Sequence, residues 1–488
     1  MAKEKLPNWK QENFYGGYSD DKFLGIKNSF RYAKGVEIRK NPKSLTLAYD
    51  TDKDTSTTID SVVYAMVTIN STGDIIAFGG NGKIWRKTAG AGAWALVYTD
   101  TGSAKILNGF EYNDYLYWFT ADKVHRIAVS SIDADWSGTV TEDYKTFTNA
   151  NANAHPAIEY ANKMYVGDGS FLAELDSLMV WTANKIILFA DEEIRAITFG
   201  GAMMRLFTRK SNLIDYGAKY YWNGTDEAYN ERVIISETIH TAISEGGADY
   251  VIAGKIPHLY LSSGYDWVDL MALPGVADNQ SCSFAPNAID YFNNLLTFGS
   301  AEAGTNSMGR GAWTFGKLNK NYPNSLNFDY PTSNDNATDT INCIHQSNGV
   351  LYIGWKNAST YGIDIVNTAK YRLTGELHSR IMYGSDVGNV KDIGSIRTGF
   401  GAIAAGEKIE IFLKKNEGSW SVTSELDIDY DTVADRSVYG KEKDVAANIG
   451  DFNMLETKII LTAGTSQLTT PELMELNISF DNDILKGD

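Results

Sequence analysis

The sequence predicts an all-β protein: a β-propeller of about seven blades, with an extended N-terminal arm before it and a C-terminal β-sandwich after it. Three observations predict this. A short strand–turn–strand unit recurs seven times. Its apolar runs are four to six residues long and bounded by turn residues, too short for the helical period of 3.6 to develop. Aromatics make up 12% of the chain and glycine is plentiful at 44, against 9 prolines, which suits aromatic strands joined by tight turns. The boundaries read as 1–45 for the arm, 46–375 for the propeller and 376–488 for the sandwich.

The recurring unit is clearest early in the chain. Ile75-Ile76-Ala77-Phe78 is followed by Gly79-Gly80-Asn81-Gly82 and then Lys83-Ile84-Trp85-Arg86. Leu116-Tyr117-Trp118-Phe119 and Met164-Tyr165-Val166 open the next two copies. Further copies begin at Met204, Leu259, Leu295 and Leu351. Starts at 75, 116, 164, 204, 259, 295 and 351 are separated by 36 to 56 residues, 46 on average. A four-stranded propeller blade takes roughly 40–50 residues. Several copies share a lead-in with an Asn- or Gly-bearing turn: Glu111-Tyr112-Asn113-Asp114, Glu159-Tyr160-Ala161-Asn162, Asp290-Tyr291-Phe292-Asn293 and Gln346-Ser347-Asn348-Gly349.

One four-stranded blade cannot bury both of its faces, whereas blades stacked around an axis bury each other. The uneven gaps place insertions in loops, with 130–154 and 319–339 as candidates because both are rich in Asn, Ser, Thr and Asp. Stacked sandwiches with a regular meander would give the same spacing, so that alternative stays open.

The ends differ from the middle. Trp9, Phe14, Tyr15, Tyr18, Phe23, Phe30 and Tyr32 sit among Gly, Asp and Lys without helical or strand period. An arm laying aromatic side chains on a surface would look like this. That surface is either the chain's own propeller or a neighbouring subunit, and these seven residues are the candidate interface. Beyond 375, Ile409, Ile411 and Leu413 alternate with polar residues, as do Met474, Leu476, Ile478 and Phe480. Period two marks strands with one buried face.

Charge and motifs narrow the chemistry. The net charge of −17 lacks the basic footprint of a nucleic-acid binder. Cys282 and Cys343 are too few for a disulfide scaffold and read as two buried thiols. The polar N-terminus lacks a signal-peptide core and no run is long enough to span a membrane, so synthesis in a cytoplasm without membrane insertion is expected. No two of the six histidines have the spacing of a local metal pair, and there is no phosphate loop or nucleophile elbow. Asp50-Thr51-Asp52-Lys53-Asp54 and Asp427-Ile428-Asp429-Tyr430-Asp431 have D-x-D-x-D spacing. A calcium loop also needs Gly at its sixth position and Glu at its twelfth, where Thr55 and Ser61, or Thr432 and Val438, stand instead. Solvated turns are the expectation there, with no cofactor, metal or catalytic residue.

One stretch carries a resemblance. Phe14-Tyr15-Gly16-Gly17, Asn28-Ser29-Phe30 and Ala33-Lys34-Gly35-Val36-Glu37-Ile38-Arg39-Lys40-Asn41-Pro42 resemble the opening of tailed-bacteriophage virion proteins, where such a stretch precedes a divergent propeller. The resemblance implies a non-enzymatic tail subunit of the hub, nozzle or head-to-tail connector type, present in the virion tail and made in the host cytoplasm. Its implied partners are copies of itself in a ring and other tail proteins, with no sequence-specific nucleic acid. A receptor- or carbohydrate-binding propeller is the first alternative, since Trp and Tyr faces stack on sugars. A glycan-cleaving propeller enzyme is the second, because a carboxylate pair is set in space rather than in sequence.

Overall fold

In the computed structural model, the described residues are 9–19, 28–41, 43–54, 59–90, 92–102, 104–149, 152–210, 213–273, 283–300, 311–336, 338–383, 391–445 and 452–482. Among them the regular structure is strand throughout, apart from three short 3-10 turns. Two compact units emerge. One comprises 52–312 and 332–365, and the other 1–51, 313–331 and 366–488.

Seven four-stranded antiparallel sheets follow one another along the chain, spanning 63–99, 108–146, 157–187, 192–235, 239–272, 289–331 and 340–371. Six are simple meanders in chain order. The seventh takes its fourth strand, Tyr49–Lys53, from the N-terminal part of the chain. The first strands are Val63–Thr68, Asn108–Tyr112, Ala157–Tyr160, Glu192–Gly200, Ile239–Glu245, Ile289–Phe292 and Thr340–Ser347. Each packs against the first strand of the next sheet, and that of the seventh packs against that of the first.

Burial on two faces explains the unbroken apolar runs. In Ile75–Gly79 all five residues are buried. Ile76 and Phe78 share a core with Leu116 and Trp118 of the second sheet. Ile75 and Ala77 share another with Cys343, Tyr352 and Ile363 of the seventh. Likewise Tyr117 and Phe119 face Met164 and Val166 of the third sheet. The side chains still alternate, but both sides meet a neighbour, so the strand reads as continuously apolar.

The turns between first and second strands are equally legible. Tyr112 pairs with Tyr115, Tyr160 with Lys163, Phe292 with Leu295 and Ser347 with Val350, leaving two-residue loops. Both loop residues have positive φ in each: Asn113 and Asp114, Ala161 and Asn162, Asn293 and Asn294, Asn348 and Gly349. That is the type I′ geometry whose twist matches a hairpin, and Asn and Gly tolerate it best.

Four expectations need correction. The copy starting at Leu259 lies in His258–Ser263, the third strand of its sheet; the second is Ala248–Ala253. The segment 130–154 contains the edge strand Thr141–Thr146, and 319–339 contains Ser325–Pro331, buried along its whole length. The period-two reading of the last strand slips at Met474, which is exposed while Leu473 is buried, because the ladder shifts register between Gly399 and Phe400. Finally, the first 45 residues are not a separate arm and 375 is not a boundary, since long-range strand pairing ties 1–51 and 366–488 into one unit.

Among the described residues that unit holds two larger sheets around one core, with a two-stranded ladder of Val36–Glu37 and Thr46–Leu47 beside them. Trp9–Gln11 pairs with Leu473–Asn482, which continues to Lys391–Phe400 and Gly440–Asp444. Phe30–Lys34 pairs with Thr374–Ser379, followed by Met454–Thr462, Lys408–Lys415 and Leu426–Asp429. Ile396, Leu476 and Ile478 of the first sheet meet Ile409, Ile411 and Ile459 of the second in a single apolar cluster. The alternation read at Ile409, Ile411 and Leu413 is present as expected.

Candidate functional site

The N-terminal aromatics are mostly framework. Phe14 and Phe30 are buried in the two-sheet core, with Trp9 and Tyr18 packed against it. Tyr15 lies 4.7 Å from Tyr322, Tyr18 6.3 Å from Trp313 and Tyr32 4.6 Å from the His378 ring. Phe23 lies outside the described residues. Of the two surfaces expected for these side chains, the propeller or a neighbouring subunit, neither covers Phe14 and Phe30, which lie in the core of the two-sheet unit. Their own chain covers them because strand pairing draws Trp9–Gln11 and Phe30–Lys34 into the sheets.

The described part of the motif, Ala33 to Asn41, is also structural. Gly35 takes φ +64, and a Cβ there would strike the Arg372 side chain. Val36 and Ile38 are buried. Arg39 donates to Ser325, Thr314 and Asp329.

In the acidic clusters Asp50, Asp54 and Asp427 are ion-paired. Asp54 accepts from Lys87 Nζ at 2.6 Å and from Trp94 Nε1 at 2.7 Å, so it is enclosed rather than part of a solvated turn. Lys370 pairs with Asp50 at 3.3 Å and Lys408 with Asp427 at 3.4 Å. Among the described residues no three metal-ligating side chains converge. Cys343 is a buried free thiol, as expected, and burial pushes its pKa up. Cys282 lies outside the described residues.

A cavity of about 450 Å³ is lined by residues of all seven first strands or their lead-ins. Its wall mixes apolar side chains, among them Met66, Phe110, Ile197, Ile243 and Ile289, with the polar Asn108, Arg195, Asn287, Asp290 and His345. Three titratable side chains besides Cys343 face it: Arg195, Asp290 and His345. Asn287 straps the sixth sheet to the first and second, its Nδ2 donating to the carbonyls of Tyr64 at 2.8 Å and Leu107 at 3.1 Å.

Bulges shape this wall. The ladder between first and second strands shifts register at Val63/Ala65, Ile194/Ala196, Ile239/Thr241 and Ile341/Cys343. Each inserts one extra residue, respectively Tyr64, Arg195, His240 and Asn342. A bulge re-aims a side chain, which is how Arg195 turns into a cavity bounded by apolar strands.

At one side of the cavity, Asp290 accepts backbone N–H bonds from Tyr291 and Gln346, both at 2.7 Å. Burial nevertheless pushes its carboxyl up to about 6. His345 Nε2 lies 2.7 Å from Thr68 Oγ1, and its Nδ1 lies 3.9 Å from Asp290. Burial holds the His345 imidazole down to about 4, so the ring is neutral at pH 7. Thr68, His345 and Asp290 follow the order of a hydrolase triad. The 3.9 Å gap is too long for the bond that orients the imidazole in such a triad.

Sequence reasoning missed Arg195. Its signal was available: a lone cation inside Ile194-Arg195-Ala196-Ile197, an otherwise apolar strand segment.

No protein-family model and no curated protein matches this sequence. Among solved structures, one similar chain is the extracellular domain of a proposed hybrid two-component system of B. thetaiotaomicron, at 13% identity and a TM-score of 0.45. The match covers 74% of this chain and 45% of that one, so the chain spans less than half the length of its structural neighbour.

Proposed function

We propose that the seven sheets form a closed seven-bladed propeller, that the two-sheet unit is a β-sandwich, and that the protein is a non-enzymatic structural subunit of a bacteriophage tail. Packing of the seventh first strand on the first supports the propeller, since closure removes exposed ends. The likeness of residues 14–42 to phage virion proteins supports the tail role, as hub, nozzle or connector ring.

One observation carries the assembly role. Exposed apolar side chains gather on or beside the fourth strands of the third to fifth sheets: Ile187, Phe189, Ile234 and Val268. Ile187 is 61% exposed. Fourth strands are sheet edges, and an apolar edge is a ready surface for association. Identical copies meeting through such faces close into a ring by heterologous contacts. With a charge of −17 per chain, a lumen between copies would repel DNA phosphates and limit sticking during ejection.

Electron microscopy of the purified full chain tests this reading, with rings as the expected result. Light scattering should show Ile187→Glu with Ile234→Glu as a folded monomer. Wild-type protein that stays monomeric at all concentrations would overturn the proposal.

A second reading has its own observation. Tyr49 and Tyr371 stack at 5.4 Å beside Lys40, and both line a groove of about 260 Å³ with Glu37 and Glu472. Aromatic faces beside carboxylates suit a sugar, which favours an adhesin. Monomers that bind glycans would support it over the first.

A further inference from the structure

We propose that the cavity lined by the seven first strands binds a small organic anion, its carboxylate or phosphate held by Arg195 and its carbon skeleton lying along Phe110, Ile197 and Ile289. This goes beyond a structural role, which needs no ligand.

Arg195 is the anomaly that asks for a partner. The residue is 5% exposed, yet it lines the cavity. Its Nη1 lies 3.4 Å from Glu193 Oε1 and its Nε lies 3.4 Å from the His240 carbonyl. Charge-assisted bonds from a guanidinium usually run about 2.7–2.9 Å, so both contacts are loose. Arg209 takes the other oxygen of the same carboxylate at 3.0 Å. Two guanidiniums therefore share one carboxylate, leaving a positive charge uncompensated beside the cavity. A buried charge is costly unless paired, and an anion in the cavity would pair it.

Shape and chemistry agree with this choice. A volume of about 450 Å³ falls in the usual range of roughly 300–1,000 Å³ for ligand pockets, and a wall that mixes apolar and polar groups suits a ligand with a charged head and a carbon skeleton. The neighbouring His240 is held neutral by burial, with Arg195 and Arg209 adding to the effect, so it does not compete as a second cation. Asp290 and His345 mark the other polar patch of the wall, on the sixth and seventh sheets. A ligand carrying a hydroxyl or amine at its far end would meet them.

Titration calorimetry and thermal melts of the full chain test the proposal. The probes are sodium phosphate, sodium succinate and sodium benzoate, each compared with sodium chloride at matched ionic strength. At least one should bind and raise the melting temperature. Arg195→Gln should weaken that binding by about tenfold or more, the loss of one charge-assisted contact. Ala157→Phe, which fills the cavity from another strand and keeps every charge, should abolish it. Phosphate alone binding would identify a phosphate ligand, and succinate or benzoate alone a carboxylate. No probe exceeding chloride would overturn the proposal, and so would unchanged binding in Ala157→Phe. If Arg195→Gln fails to fold, Ala157→Phe decides alone.

Discussion

Arg39 and Asp329 form an ion pair at 3.0 Å, with side chains only 3% and 1% exposed, joining residues 290 positions apart in sequence. The guanidinium is fully engaged: Nε donates to Ser325 Oγ at 3.0 Å, and Nη2 to the carbonyls of Thr314 and Ser325 at 2.9 and 2.8 Å. Asp329 also accepts from Asn327 and Thr314. Such a network stabilises only when complete, because each member is out of water.

Removing one partner should therefore cost more than removing both. Arg39→Met leaves a buried carboxylate and should lower stability by about 3–5 kcal/mol. Arg39→Met combined with Asp329→Leu should recover much of that loss. Denaturant melts of the three proteins measure it. Equal losses in the single and double variants would show that packing, not charge, sets the cost.

Deleting residues 1–45 should damage the two-sheet unit and not merely free an arm. The deletion takes away two edge strands, Trp9–Gln11 and Phe30–Lys34, and the buried rings of Phe14 and Phe30. Losing one large buried aromatic alone typically costs about 3–5 kcal/mol. Hydrogen exchange should show lost protection in 391–482, with protection retained in 63–272. Unchanged protection in 391–482 would contradict the strand pairing.

What was legible in the sequence follows from how far each residue's partners lie along the chain. Ile75–Phe78 and Leu116–Phe119 were readable because neighbours cover both faces, which leaves an apolar run in the sequence. The fifth sheet was misread because its true second strand, Ala248–Ala253, carries Asp249, a buried carboxylate paired with Arg205 at 3.0 Å. A charge looks like a turn when its partner lies on another strand. Ser325–Pro331 was hidden for the same reason, since Asn327 and Asp329 are polar but find partners at Val36 and Arg39, far away in sequence. Arg195 was overlooked because a β-bulge, invisible in composition, decides where its side chain points.

The hairpin turns offer a local test. Asn293 and Asn294 have φ of +50 and +62. Asn293→Val places a β-branched residue in the left-handed region and should cost about 1–2 kcal/mol. Asn293→Gly should be near neutral, since glycine adopts that φ without strain. Urea melts should show a lower midpoint for the valine variant with an unchanged slope. A valine variant as stable as the glycine one would mean that the turn is not type I′.

Asp168 should make stability depend on pH in a defined direction. It is wholly buried, and its Oδ2 accepts N–H bonds from Thr148 at 2.7 Å and Asn149 at 3.0 Å. Burial still outweighs these bonds and pushes the carboxyl up to about 6 from an ordinary value of 3.8. The native state thus holds this proton more tightly than the unfolded chain. Above pH 6 the fold carries a desolvated anion, and that penalty fades as pH falls from 6 towards 4. Asp168→Asn keeps an acceptor oxygen without the charge. It should be more stable than wild type by about 1–3 kcal/mol near pH 7.5, and the advantage should vanish near pH 4. His155 works in the opposite sense. Burial lowers its pKa from 6.5 to about 4, so protonation of the unfolded chain removes stability as pH falls through that same window. The two groups thus contribute slopes of opposite sign over this window, and the difference between variant and wild type isolates that of Asp168. Denaturant melts at several pH values between 4 and 7.5 would read this directly. A variant less stable than wild type at every pH would mean that the two backbone donors hold the carboxylate ionised in the fold.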